Sequence, residues 1–187
     1  MWKHPYRKLF SVKKNYEQSI TDDLTQIFNR RYFVEQSRQY FLQAKRENKE
    51  VALIVIDLDD FKMLNDSFGH ACGDRALTTV SALLKHMCKR PLDFVARKGG
   101  DEFVIFLYSS DENFITKLCD SLMQEVSRLQ FDVDETVDYL TLSIGIATSK
   151  QLQEGEGIDE LVHYADMAAY QSKSSGKNTY TFYQPQS

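Results

Sequence analysis

Cysteine is scarce in this chain of 187 residues: Cys72, Cys88 and Cys119 form no CxxC pair, and an odd count does not suit a disulfide framework. They read as small apolar side chains in a reducing compartment, which places the protein in the cytoplasm. Long hydrophobic runs are missing as well. The longest, Val51 to Ile56, falls far short of the roughly 20 residues that span a bilayer, so no membrane segment is expected. Residues 1–20 carry Lys3, Arg7, Lys8, Lys13 and Lys14 but no apolar core, which excludes a secretory signal. Positive charge is not in excess either. Lys and Arg number 23 against 27 Asp and Glu, a net charge of −4, so no global field attracts nucleic acid or a membrane surface. Any anionic ligand must be held by local groups. The phosphate-binding motifs GxxxxGK[ST] and GxGxxG are absent too, which removes the P-loop and Rossmann routes to a nucleotide.

What is present is a globular composition, 42% hydrophobic and 27% charged, at the usual size of one compact unit. Leu9, Val12 and Tyr16 suggest a helical lead-in over residues 1–20, too short for a coiled coil. Phe33, Ser37, Tyr40, Phe41 and Ala44 recur at helical spacing between Asn29 and Asn48, so this helix should lay one face on a sheet. The run from Val51 to Ile56 reads as a central strand covered on both faces, with Asp57 at its carboxyl end. A turn around Asp66 to Gly69 precedes a helix over 74–89, with Asp74 its candidate N-cap and Pro91 its stop. Residues 93–97 and 102–107 form a hairpin around Gly99 and Gly100, whose sequence permits the positive φ angles of a tight turn. Helices over 111–130 and 158–174 and strands over 138–147 and 179–183 follow. The pattern is α/β, and the hairpin argues against an all-parallel doubly wound sheet.

Two acidic clusters stand out. Asp57-Leu58-Asp59-Asp60-Phe61-Lys62 sets three carboxylates at the exit of a buried strand, and Asp101-Glu102 sits at the hairpin tip. A calcium-binding EF-hand is excluded because Phe61 and Lys62 stand where that loop needs Asp or Asn and then Gly. Hard oxygen ligands without His or Cys suit Mg²⁺ or Mn²⁺. Adjacent strand residues face opposite ways, so Asp101 and Glu102 should differ in role, with metal binding assigned first to Asp101. Carboxylates, a divalent ion and lysines together are the equipment of phosphoryl and nucleotidyl transfer.

The run Arg97-Lys98-Gly99-Gly100-Asp101-Glu102-Phe103 resembles the signature of GGDEF domains, the diguanylate cyclases. The likeness extends further. Asp23-Leu24-Thr25 with Asn29-Arg30-Arg31, the block Asp57 to Lys62 with Asn65-Asp66, Gly69-His70 and Gly73-Asp74, the run Thr141 to Ala147, and Ala165-Asp166 through Tyr170, Lys173, Gly176, Lys177 and Asn178 all resemble family motifs in order. The resemblance takes in about residues 21–183, leaving 184–187 as a tail. It implies an α+β fold like that of nucleotidyl cyclase and polymerase palm domains, a mostly antiparallel sheet wrapped by helices.

It also implies that two GTP molecules condense into cyclic di-GMP and two pyrophosphates. Asp57, Asp101 and the Leu58 carbonyl would hold two Mg²⁺ or Mn²⁺ per GTP, with Glu102 as base or further ligand. Lys62, Lys173, Lys177 and the amides around Asp60 and Phe61 would meet the triphosphate. Solvated surface lysines are the plainer alternative. Asn65 and Asp74 resemble a guanine-reading pair; the competing reading is a turn residue and a helix cap. Arg90 and Asp93 resemble the RxxD product-inhibition site, and are equally readable as a helix-end cation and a strand-starting acid. The family pattern is broken at Gln26, usually Gly, at Lys98, usually aromatic, and at Ala169, usually larger. One nucleotide site per copy and a two-fold symmetric product imply a homodimer, and an upstream sensory domain could control it. A non-catalytic GTP or cyclic di-GMP receptor, or a cyclase joining mixed purines, would differ in the products formed.

Overall fold

The computed structural model describes residues 20–133 and 136–185, so the expected lead-in lies, apart from Ile20, outside the described residues, as do the last two of the tail. Eight strands and five helices are described: β1 (Phe28–Asn29), α1 (Arg30–Arg46), β2 (Val51–Leu58), α2 (Phe61–Phe68), α3 (His70–Met87), β3 (Phe94–Gly99), β4 (Glu102–Tyr108), α4 (Glu112–Val126), β5 (Gln130–Val133), β6 (Thr136–Tyr139), β7 (Leu142–Thr148), α5 (Ile158–Ser174) and β8 (Thr179–Phe182). Six strands make one sheet in the order β1-β3-β4-β2-β7-β8, and β5 and β6 pair separately. The three central pairings are antiparallel, whereas the outer strands β1 and β8 join in parallel. This is the palm-like α+β arrangement. No helix among the described residues is long and apolar enough to cross a membrane.

Strand alternation sorts the core onto two faces. Ala52, Ile54, Ile56 and Leu58 of β2 meet α3 and α4 through Ala76, Leu77, Val80, Leu84, Ile115 and Leu122. Val51, Leu53 and Val55 meet α1 and α5 through Phe33, Ala44, Leu161, Ala165 and Ala169. Every residue of β2 is buried, the apolar run Val51–Ile56 and Asp57 beyond it alike. Each fully buried Leu or Ile here stabilises the fold by about 1.5–3 kcal/mol relative to exposure.

Helix α1 begins where Asn29 Oδ1 accepts the Tyr32 amide at 3.0 Å, and its buried face is the expected one, Phe33, Ser37 and Ala44. Other expectations are corrected. The segment read as a turn at 66–69 lies mostly in α2, because Phe61 and Leu64 anchor a short helix on the core that ends only at Gly69, φ 81°. Consequently α3 starts at His70, and Asp74 lies inside it rather than capping it. It also stops at Met87, ahead of Pro91. Helix α4 stops at Val126 instead of running to 130, where β5 begins. The strand read over 138–147 is two: residues 136–139 belong to the outlying β5-β6 hairpin and 142–148 to the main sheet. Burial pushes the Cys88 and Cys119 thiols up to about 12, which leaves both as the inert apolar groups expected.

Candidate active site

The antiparallel register puts Asp57, near the end of β2, directly across from Glu102 on β4, with Ser143 of β7 on its other side. Leu58 donates its amide to the Asp101 carbonyl at 3.3 Å, which brings the hairpin turn against the strand end. The two acidic stretches thus meet through sheet pairing. Asp57 is buried, Asp101 half-buried and Glu102 exposed. Burial pushes the Asp57 carboxyl above its usual value, the Lys173 ammonium opposes this, and the charges of Asp101 and Glu102 push it further up. Lys173, from the last turn of α5, donates to Asp57 Oδ2 at 2.6 Å.

The three carboxylates of the first cluster separate by function. Asp60 stands at the N-cap position of α2 in a left-handed conformation, φ 54°, and its carboxylate turns away to meet Lys177 Nζ at 2.6 Å. Asp59 points inward. Its carboxylate accepts from Ser143 Oγ at 2.6 Å, Thr141 Oγ1 at 2.7 Å and the Asn178 amide at 3.0 Å. It ties β2 and β7 to the residues just before β8, where Lys177 and Asn178 both have positive φ. Spacing alone could not reveal this clasp, because its partners lie more than eighty residues away.

The first turn of α2 has no side-chain cap, so its leading amides remain available to an anion. Lys62 is exposed in that turn. About 6 Å further along the axis, Asn65 faces Gly73 of α3 so closely that a Cβ at Gly73 would stand 2.0 Å from Asn65 Oδ1. Asp74 follows Gly73, exposed and free of capping duty. Asn65 and Asp74 therefore flank one helix junction. Lys173 and Lys177 do not share a helical face, since α5 ends at Ser174 and Gly176 turns the chain with φ 113°.

The turn at Gly99 and Gly100, φ 146° and 54°, is held by Arg97, whose guanidinium donates to the Gly100 carbonyl at 2.7 and 2.9 Å and to Asp22 Oδ1 at 3.1 Å. Burial tends to raise the Asp22 carboxyl, but hydrogen bonds from Thr25 and Arg97 outweigh it and hold the group below its usual range. Gln26, which stands where the family usually has Gly, has φ 56°, a conformation that favours glycine, and its side chain donates to the Asp23 carbonyl at 2.8 Å.

Arg90 and Asp93 form a bidentate pair at 2.7 and 3.2 Å. Arg90 also donates to Ser110 Oγ and to the Tyr108 carbonyl and lies 4.1 Å over the Phe114 ring. The Asp93 side chain is 2% exposed and accepts the Tyr108 amide. In this conformation the pair fastens α4 and β4 rather than presenting a fork to solvent.

On the α1 and α5 side, Asp57, Glu102, Lys173, Asp166, Lys98 and Arg30 line a cleft of about 310 Å³, with Val55 and Ala169 as apolar wall. The carboxylate oxygens of Asp57 and Glu102 in its lining suit a hard divalent cation, which would offset the burial, and the repulsion from Asp101 and Glu102, that raise the Asp57 carboxyl. Among the described residues no group of three or more His, Cys, Asp or Glu side chains is arranged to hold a metal ion by itself. Substrate oxygens would have to finish the coordination, as is usual for Mg²⁺.

Comparison with known proteins shows the family and the fold. A family model described as "Diguanylate cyclase, GGDEF domain" matches residues 19–179. The chain is 33% identical over 162 residues to the response regulator PleD of Caulobacter vibrioides, covering 87% of this chain and 36% of PleD. To diguanylate cyclase DgcS of Shewanella oneidensis it is 34% identical over 167 residues, covering 87% and 52%. The chain thus spans between about a third and a half of these relatives. The coiled coil and GGDEF domain of DgcB from Caulobacter crescentus, solved in complex with c-di-GMP, superposes with a TM-score of 0.87 at 27% identity, covering 95% of this chain and 92% of that one.

Proposed function

Because this chain belongs to the GGDEF family, we propose that it is a diguanylate cyclase, joining two GTP into cyclic di-GMP with release of two pyrophosphates. The observation that carries the reading is the layout around α2: paired acids and lysines at its N-terminal end, and an amide with a carboxylate one turn and a helix junction away. A nucleoside triphosphate has the same two ends.

Asp57, Asp101 and the Leu58 carbonyl would hold Mg²⁺ or Mn²⁺, with two ions per GTP. Bound there, the metal supplies charge neutralisation at the α-phosphate and a lowered pKa for the attacking 3′-hydroxyl. Lys173 and Lys177 are preset on Asp57 and Asp60, and on substrate binding they turn to the phosphates, joined by Lys62 and the α2 amides near Asp60 and Phe61. Glu102, exposed across from Asp57, would receive the hydroxyl proton or serve as a further metal ligand. Asn65 and Asp74 match the O6 acceptor and the N1 and N2 donors of guanine, whereas adenine would set an acceptor against the Asp74 carboxylate. A second copy supplies the second GTP. Product inhibition through Arg90 and Asp93 would require cyclic di-GMP to displace Asp93 from Arg90.

The deciding experiment incubates concentrated protein with GTP and Mg²⁺ and follows both products. One cyclic di-GMP per two pyrophosphates is expected, lost in Asp57→Asn and Asp101→Asn. Tight GTP binding with neither product would leave a receptor in place of an enzyme, and equal use of ATP would overturn the guanine assignment.

A further inference from the structure

Lys98 stands just before the Gly99-Gly100 turn, at a break in strand register. Arg97 pairs with Phe103 and Gly99 with Glu102, so Lys98 is the extra residue of a bulge with no Cα partner on β4. Its side chain crosses to α5, where Nζ meets Asp166 Oδ1 at 2.6 Å. The contact is sheltered at the lysine end, 16% exposed, and more open at the aspartate, 44%. Asp57, Glu102, Arg30 and Lys173 are the other charged groups lining the same cleft.

Two further contacts give this pair its meaning. Arg97 fixes the shape of the turn through Gly100 and Asp22, but both partners lie on the side of the turn and the N-terminal loop. Lys173, seven residues beyond Asp166, ties α5 to β2 through Asp57. The sheet already holds the turn near β2, where the Leu58 amide meets the Asp101 carbonyl, and Lys98 adds a direct side-chain tie from the turn to α5.

We propose that Lys98 and Asp166 form a latch that holds the acidic hairpin turn at a fixed distance from α5, and so sets Asp101 and Glu102 against Lys173. The pair are positioning residues. Their catalytic meaning rests on the cyclase reading, while the latch itself is a property of the fold. Losing a contact that fixes reacting groups to within an ångström lowers turnover, with little change in how tightly the ground-state substrate is held. A bulged residue without its tether also leaves the turn freer to open.

The test compares Lys98→Met, Asp166→Asn, their double variant and the charge swap Lys98→Glu with Asp166→Lys. Amide hydrogen exchange of residues 99–102 and steady-state kinetics with GTP and Mg²⁺ are read on each. Both single variants should exchange faster in the turn and lose kcat by roughly tenfold, with KM within about twofold of the parent. The double variant should be no worse than either single one, and the swap should recover most of the loss. Unchanged exchange in Lys98→Met overturns the latch. So does a rise in KM confined to Lys98→Met, because a lysine that touched phosphate directly would act without Asp166. A parent protein that makes no cyclic di-GMP, while exchange still reports the tether, counts against the cyclase reading and not against the latch.

Discussion

Asp57 sits where folding and function oppose each other. Burial, Asp101 and Glu102 raise its carboxyl above the usual 3.8, so the folded chain binds that proton more tightly than the unfolded chain does. Stability from this group is therefore greatest at acid pH and falls as pH rises from 3.8 through the raised value. Asp57→Asn removes the charge and keeps an acceptor for Lys173. In the presence of a chelator the variant should melt above the parent protein at pH 7, and the gap should close toward pH 4. Added Mg²⁺ should raise the melting temperature of the parent and leave the variant unmoved. A gap independent of pH would refute the electrostatic account. Asp59 is the opposite case, an acid whose work is structural. Asp59→Ala strands two hydroxyls and an amide around a buried gap and should destabilise by about 3 kcal/mol, measured by denaturant unfolding. An effect under about 1 kcal/mol would mean that water replaces the carboxylate without loss.

Helix α5 owes its position to Gly145. A Cβ there would stand 2.1 Å from the Ala165 carbonyl oxygen and from the Ala169 amide nitrogen, both main-chain atoms of α5. Gly145→Ala must push the helix off β7, which costs on the order of 1–3 kcal/mol in overpacked cores and moves Lys173 and Asp166 with it. The expected result is a melting temperature lowered by about 2–12 °C and a fall in kcat larger than that of Lys173→Ala alone. A stable variant with parental kinetics would show that α5 can shift without consequence. The same element shows which features the sequence made legible. Its helix was readable to the residue because Ile158, Leu161, Ala165 and Ala168 repeat at helical spacing, and β2 because Val51 to Ile56 is an unbroken apolar run. The β2-α2 junction was legible only in part. Asp57 and Asp60 carry recognisable chemistry, whereas α2 is only eight residues long, so that Phe61, Leu64 and Phe68 at i, i+3 and i+7 make too short a stripe to stand out beside the turn-forming Asn65, Asp66 and Gly69. The two-residue β1 is too short to leave a periodic trace, β5 and β6 alternate polar and apolar over only four residues each, and the contacts of Asp59 and Lys98 span distances that no local pattern encodes.

At the scale of the whole molecule, a single chain presents one layout for one nucleotide, yet the proposed product joins two. Each 3′-hydroxyl must attack the α-phosphate held by the other copy, so both halves of a pair need intact metal-binding acids. Mixing parent protein with an equal amount of Asp57→Asn at constant total concentration therefore gives a sharp expectation. If the two exchange freely, parent-parent pairs are about one quarter of all pairs, and cyclic di-GMP formation should fall to about one quarter of that of undiluted parent protein. Independent sites would leave about one half. The mixing ratio should matter this way only after the subunits have equilibrated, and dilution of the parent alone should lower its specific activity. An activity strictly proportional to the parent fraction, unaffected by dilution, would show that one chain completes the reaction by itself and would remove the two-copy geometry on which the proposed reaction depends.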